Sequence, residues 1–302
     1  MADTRVKLGE LELKTPVIPA SGTFGYGREF AELFDLNILG GIAVKGTTIE
    51  ARQGNDSPRI AEAAGGMINS VGLQNPGAAD VVSEQLPHLA EIFDGVIIAN
   101  ISGFSIEEYV SCAETMETCP QADIIEVNIS CPNVHGGGMA FGQSSSQAAA
   151  VTKAVKQVTN KPVYIKLSPN VTDVASIAAA CEEAGADGIS LINTLQAMRI
   201  DIKTRKPVLA NITGGLSGPA IFPVALRMVN QVRKSVDIPI IGMGGIASAE
   251  DVIEMIMAGA DAVQIGAAGL RNPWIYPEIT DRLPQLMEEL GINNLKEVKG
   301  IV

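Results

Sequence analysis

The sequence predicts a (β/α)8 barrel, and three observations support this fold class. Eight short apolar runs of strand length alternate with helical patterns along most of the 302 residues. Two helices end in the same Ala-Gly-Ala-Asp stop before the next strand, at 184–187 and 258–261. Apolar residues make up 46% of the chain but aromatics only 4%. That balance is typical of a core of buried parallel strands.

The strands follow a short N-terminal β-hairpin, which the alternation over 7–14 predicts around Gly9 and Glu10. Each barrel strand is a run rich in Val, Ile and Ala that is bounded by turn residues. The eight predicted strands are 17–20, 41–44, 95–99, 123–127, 163–165, 188–192, 238–241 and 261–265.

Helical patterns fill the intervals, for example at 143–159, 173–184, 219–235 and 248–258. Asp173 and Ser248 stand where N-caps belong. No Pro/Ser-rich linker or shift in composition separates the units, so residues 1–302 are expected to form a single domain. Extended loops after the second, fourth and sixth strands are expected to cover the C-terminal face.

Charge and composition exclude several classes of function. With 22 basic and 34 acidic residues the net charge is −12, which disfavours binding to nucleic acid. The N-terminus has no apolar signal region and no apolar run is long enough to span a bilayer, so a cytoplasmic protein without membrane attachment is expected. Four cysteines without C-x-x-C spacing and only two histidines predict no metal site, so a redox centre would have to be an organic cofactor.

Long polar side chains follow five of the eight apolar runs. Active-site groups of (β/α)8 barrels project from the C-terminal ends of the strands. At any one position, Asn or Lys can simply mark the point where a strand leaves the core. Five together favour a site, and these five residues are Lys45, Asn100, Asn128, Lys166 and Asn193.

Glycine-rich loops follow the last two strands, at 242–247 and 266–269. Such loops let backbone N–H groups approach an anion, and in this architecture they commonly bind phosphate. The first loop also fits a G-x-G-x-x-A dinucleotide fingerprint. Its late position, and the absence of an acidic residue after the next strand, favour a mononucleotide phosphate instead.

Cys131 comes just after the fourth strand, within Asn-Ile-Ser-Cys-Pro-Asn, and before a glycine-rich loop. A thiol there can act as a base or nucleophile if its thiolate is stabilised, although a buried inert cysteine is about as common. Cys112, Cys119 and Cys181 have no polar constellation near them in sequence and are expected to be structural.

Three segments together carry a family resemblance: 128–133, Asn-Ser-Val-Gly-Leu-Gln-Asn-Pro-Gly at 69–77, and Gly-Gly-Leu-Ser-Gly-Pro-Ala at 214–220. With them, nearly the whole chain resembles the FMN-dependent dihydroorotate dehydrogenases. Within that family it is similar to class 1B, because it has cysteine rather than serine at position 131, no N-terminal membrane segment, and the 69–77 loop.

The resemblance implies oxidation of (S)-dihydroorotate to orotate in pyrimidine biosynthesis, with Cys131 taking the C5 proton and N5 of FMN taking the C6 hydride. For the substrate it implies Lys45, Asn69, Ser70, Val71, Gly72, Leu73, Asn128, Asn193 and Thr194. For one FMN per chain it implies Ser21, Lys45, Gly46, Asn100, Asn128, Lys166, Ile192, Gly218, Gly244, Gly245, Gly266 and Ala267.

The same resemblance implies a partner subunit that carries FAD and a [2Fe-2S] cluster and passes electrons to NAD+. Two copies of this chain would form a homodimer within an α2β2 heterotetramer. Alternatives are a class 1A-like enzyme that uses a soluble acceptor such as fumarate, a flavoenzyme like dihydropyrimidine dehydrogenase, and a non-redox phosphate-binding lyase or isomerase barrel.

Overall fold

A computed structural model describes residues 2–130 and 141–302. Eight parallel strands form its central sheet, and they are numbered here β1 to β8 in chain order. Their bounds are Val17–Pro19, Gly41–Ala43, Val96–Ile101, Ile124–Asn128, Val163–Lys166, Gly188–Leu191, Ile240–Met243 and Ala262–Ile265. All eight predicted strands are confirmed, with ends that shift by one or two residues.

The sheet curves into a barrel in which β2 to β7 each pair with the next strand in sequence and β8 pairs with β1, so that β1 and β2 are its two ends. The amide of Gly40, just before β2, donates to the carbonyl of Val17 in β1 at 3.0 Å and so joins the two ends. A Cβ on Gly40 would collide with the carbonyl of Thr15. Glycine at this position therefore allows the first two strands to approach closely enough to close the barrel.

Helices surround the barrel and bury its outer face. The longer ones are Leu86–Ile92, Ile106–Glu117, Ser145–Lys156, Val174–Glu183, Phe222–Arg233, Ala249–Met257 and Ile275–Glu289. Shorter helical segments are Arg28–Ala31, Leu36–Ile38, Ala78–Asp80, Val81–Gln85, Phe141–Gln143, Pro219–Ile221, Ala267–Arg271 and Leu295–Glu297. The two predicted N-caps are confirmed, since Asp173 accepts from Ser176 N and Ser248 accepts from Asp251 N.

The predicted N-terminal hairpin is formed by Val6–Leu8 and Leu11–Leu13. Leu8 and Leu13 are buried, and Leu13 packs beside Gly40 at the amino ends of the first two strands. The hairpin therefore lies at the end of the barrel opposite the carboxyl ends of the strands.

The loops after β2 and β6 contain strands that the sequence did not reveal. They form a four-stranded antiparallel sheet in the order Leu195–Met198, Thr213–Ser217, Gly66–Asn69 and Ile60–Ala63. Asn69 lies opposite Gly215 in this pairing, so residues far apart in sequence become neighbours. A small ribbon, Ile200–Asp201 with Lys206–Pro207, extends from the second of these loops.

Within the described residues, no helix is both long enough and apolar enough to cross a membrane.

Candidate active site

A cavity of about 310 Å³ lies among residues that follow the barrel strands and residues of the four-stranded sheet. It is of the size that a small cofactor or substrate requires. The predicted site residues that line it are Ser21, Lys45, Asn69, Val71, Gly72, Leu73, Asn128, Lys166, Ile192, Asn193, Thr194, Gly218, Gly244, Gly245, Gly266 and Ala267. Segments separated by up to about 250 residues therefore meet at one place.

Two cations line the cavity. Lys166 is the last residue of β5 and its side chain is 7% exposed, while Lys45 lies two residues beyond β2 and is half-buried. In a protein of net charge −12, they supply local positive charge for an anionic ligand. Neither lysine side chain is fully exposed to solvent.

Three polar side chains form a hydrogen-bonded cluster at the ends of β4 and β6. The Ser130 hydroxyl donates to Asn128 Oδ1 at 2.7 Å and accepts from Asn193 Nδ2 at 2.6 Å. Asn193 Nδ2 lies 3.3 Å from Asn128 Oδ1, and its own Oδ1 accepts from Thr194 N at 2.7 Å. The cluster fixes the orientation of two amides that border the cavity.

The backbone beneath Asn128 is also held. The phenol of Tyr109, on the helix Ile106–Glu117, donates to the Asn128 carbonyl at 2.8 Å. Tyr109 is 1% exposed, so this bond anchors the end of β4 from the outer layer of helices. The strand end that precedes Cys131 is therefore supported from both faces.

Glycine residues form another wall of the cavity. Gly218, Gly244 and Gly245 have positive φ values of 111°, 124° and 81°. A Cβ on Gly245 would lie 2.7 Å from the amide nitrogen of Phe222 and 2.8 Å from the carbonyl of Gly218. The loops after β6 and β7 thus pack backbone against backbone, an arrangement that suits an anion such as a phosphate.

A buried polar layer lies inside the barrel at the base of this cavity, and two of its residues, Glu126 and Gln264, were not predicted from the sequence. Glu126 of β4, with a fully buried side chain, accepts from Asn100 Nδ2 at 2.5 Å and from Gln264 Nε2 at 2.8 Å. Lys166 Nζ lies 3.7 Å from the same carboxylate. The available signal was a charged residue in the middle of the apolar run Ile-Ile-Glu-Val.

Three predicted residues do not line the cavity. Asn100 lies below it and bonds Glu126, and Gly46 packs close to Asn100 Oδ1. Ser70 is fully buried, and its backbone carbonyl accepts from Asn55 Nδ2. Cys131, the predicted base, lies outside the described residues.

The other three cysteines are buried. Burial raises the pKa of Cys112 to about 12 and that of Cys181 to about 11, so their thiols stay protonated. Neither one lines the cavity.

The polar groups at the base of the cavity fit a flavin. Asn100 Oδ1 and Gln264 Oε1 are buried acceptors without a hydrogen-bond partner in the described part of the chain. Unpaired buried acceptors are costly. An isoalloxazine ring carries an N–H donor for such an acceptor and two carbonyls to which Lys166 can donate, and the glycine wall can receive the phosphate of FMN.

Comparison with known proteins agrees with this geometry. The sequence profile of dihydroorotate dehydrogenase matches residues 4–287. The chain belongs to the dihydroorotate dehydrogenase family.

Relatives within the family are similar over almost their full length. The chain is 56% identical to a protein of Bacillus cytotoxicus, over 98% of this chain and 96% of that one. It is 55% identical to a protein of Anoxybacillus flavithermus and 56% to one of a Geobacillus species, each over 98% of this chain and 94% of the relative. All three are named dihydroorotate dehydrogenase B (NAD+), catalytic subunit. The family predicted from the sequence motifs is confirmed.

Proposed function

We propose that the protein oxidises (S)-dihydroorotate to orotate as the FMN-binding catalytic subunit of an NAD+-linked dihydroorotate dehydrogenase. The observation that carries this proposal is the convergence of two cations, two oriented amides and a glycine wall on one cavity. A flavin uses one cation and the glycine wall, which leaves a second cation and the amides for an anionic pyrimidine. The names of the relatives support the same activity.

The substrate must lose two hydrogens to form its C5=C6 double bond. Cys131 would take the C5 hydrogen as a proton, since a thiolate is the form that can act as the base. When bound, FMN supplies the acceptor for the C6 hydride. Asn128 and Asn193 would hold the ring amides, because Ser130 locks both side chains at the cavity wall.

Lys45 would pair with the substrate carboxylate. Orotate differs from uracil by this carboxylate, so a second cation in the cavity favours an orotate site over a uracil site. Asn69, Val71, Gly72, Leu73 and Thr194 would enclose the substrate, with Ser70 supporting them from beneath.

The flavin would occupy the side of the cavity lined by Lys166. Ser21, Gly46, Asn100 and Ile192 would border or support the ring and its ribityl chain, and the phosphate would lie at Gly218, Gly244, Gly245, Gly266 and Ala267. On this reading residues 1–302 form one FMN-binding barrel domain.

Anaerobic reduction tests the proposal. Purified protein reconstituted with FMN is expected to be yellow, and dihydroorotate is expected to bleach the flavin band while dihydrouracil does not. Protein that cannot retain FMN would refute the flavin assignment. Bleaching by dihydrouracil but not by dihydroorotate would instead favour a dihydropyrimidine dehydrogenase-like enzyme.

A variant of Lys45 tests whether this residue binds the carboxylate that distinguishes orotate from uracil. Lys45→Met keeps the length of the side chain but removes its charge, so it should weaken orotate binding while FMN stays bound. Unchanged orotate affinity would refute the assignment of Lys45 to the carboxylate.

The electrons are proposed to leave through a partner subunit with FAD and a [2Fe-2S] cluster, in a cytoplasmic α2β2 complex. The support is that the relatives are named catalytic subunits. NAD+ reduction that appears only when a second polypeptide co-purifies would bear this out. Turnover with fumarate by the chain alone would favour the class 1A-like alternative.

A further inference from the structure

Glu126 is a fully buried carboxylate in the interior of the barrel. It belongs to β4, whereas its partner Gln264 belongs to β8, four strands away in a barrel of eight. Their 2.8 Å hydrogen bond therefore crosses the barrel interior. Such a charge is costly to bury unless donors surround it.

The donors around Glu126 are all groups of the candidate flavin site. Asn100 and Gln264 each direct an amide N–H at the carboxylate, and Lys166 Nζ lies 3.7 Å from Oε2. Within the part of the chain that the structure describes, Glu126 is the acidic residue that forms an ion pair with Lys166. Since the Lys166 side chain is only 7% exposed, this pair is poorly screened by solvent.

The same contacts decide which way the two amides face. Because each NH2 group donates to Glu126, each carbonyl oxygen is turned away from the carboxylate, and both oxygens are buried without a partner in the described residues. Gln264 also lines the cavity. Glu126 thus orients the Gln264 amide and Lys166, two groups that line the cavity, towards a bound ring.

We propose that Glu126 is a positioning residue that holds Lys166 and the Gln264 amide against the flavin and, by its charge, sets the flavin's reduction potential. This inference rests on the proposed function for the identity of the bound ring. Lys166 and Glu126 together carry no net charge, so the layer is neutral beneath an oxidised, neutral ring. Two-electron reduction with one proton adds a negative charge, which Lys166 favours and Glu126 opposes.

The test is the midpoint potential of FMN in the full-length, FMN-loaded protein. Glu126→Gln keeps the shape but removes the charge, so it should raise the potential. We expect at least a tenfold shift of the equilibrium towards reduced flavin, about 30 mV for a two-electron couple. Lys166→Met should lower the potential, and the double variant should lie between the two single variants.

A matched control comes from the same strand region. Asp123, just before β4, accepts the amide of Ile97 at 2.8 Å at the opposite end of the barrel. Asp123→Asn removes one carboxylate without touching the polar layer, so its potential should equal that of the wild type. A general effect of net charge or stability would move both variants alike.

Glu126→Asp covers the case in which Glu126→Gln does not fold. Shortening the side chain withdraws the carboxylate from Lys166, so a smaller rise in potential is expected. A yellow, folded Glu126→Gln protein with the wild-type potential, or an unchanged potential in Glu126→Asp when Glu126→Gln does not fold, would overturn the inference. A wild-type protein that binds no FMN would instead refute the proposed function.

Discussion

Replacing Ser130 with alanine tests whether the amide cluster beside the cavity is preorganised for the substrate. Ser130 is 5% exposed, and its hydroxyl takes part in two short hydrogen bonds, one donated to Asn128 and one accepted from Asn193. The change removes a single oxygen atom and leaves the backbone of β4 in place. Asn193 Nδ2 would keep only its 3.3 Å contact with Asn128 Oδ1.

The expected magnitude follows from these two bonds. Each buried hydrogen bond contributes about 1 kcal/mol net, so the variant loses about 2 kcal/mol of the free energy that orients the two amides. If that free energy holds the two amides in their binding geometry, orotate affinity falls by roughly tenfold to thirtyfold. FMN content should equal that of the wild type, because the proposed function assigns this cluster to the substrate.

The assay is a titration of the flavin spectrum with orotate. Ser102→Ala is the matched control, since Ser102 is fully buried and its hydroxyl has no partner in the described residues. That variant should bind orotate as the wild type does. Orotate affinity within twofold of wild type in a folded Ser130→Ala protein would refute the reasoning.

Other changes have equally defined outcomes. Cys131→Ala should bind FMN and orotate but lose most turnover, and near-normal turnover would exclude Cys131 as the base. Cys131→Ser should keep a small activity that rises with pH, and a flat pH profile would contradict the same role. Gly245→Ala places a side chain on a backbone with φ of 81°, so the loop should shift to relieve about 1–3 kcal/mol of strain and FMN should bind roughly fivefold to a hundredfold more weakly in a fluorescence titration. Wild-type affinity would contradict the glycine wall. Gly40→Ala pushes a methyl group against the Thr15 carbonyl, so the melting temperature should fall by several degrees, as about 1–3 kcal/mol of overpacking implies. An unchanged melting temperature would contradict the role of Gly40 in barrel closure.

Local sequence patterns predicted the barrel because strands, helix caps and turns depend mainly on interactions between residues close in sequence. Strand-length apolar runs, N-caps such as Asp173 and glycine stops act within a few residues, and each appears in the structure. The polar residues at the strand ends were also visible, since a lysine after an apolar run interrupts a clear pattern. Lys166 and Asn128 could be placed at one face because parallel strands end together.

Pairing between distant segments could not be predicted in this way. The antiparallel sheet that sets Asn69 opposite Gly215 joins two loops with little apolar alternation, and its register depends on the barrel that brings them together. In the sequence, Glu126 is only a charged residue within an apolar run. Its hydrogen bond to Gln264, on the opposite side of the barrel, is visible only in the tertiary structure.

The sequence alone determined the fold class, the family and many of the residues that border the cavity, because these follow from local periodicity and short motifs. The tertiary structure decided which of those residues touch each other. It separated the Ser130 cluster at the ends of β4 and β6 from the Glu126 layer at the base of the cavity. The physical reason is that a hydrogen bond across a barrel depends on strand order, curvature and register, none of which any single segment encodes.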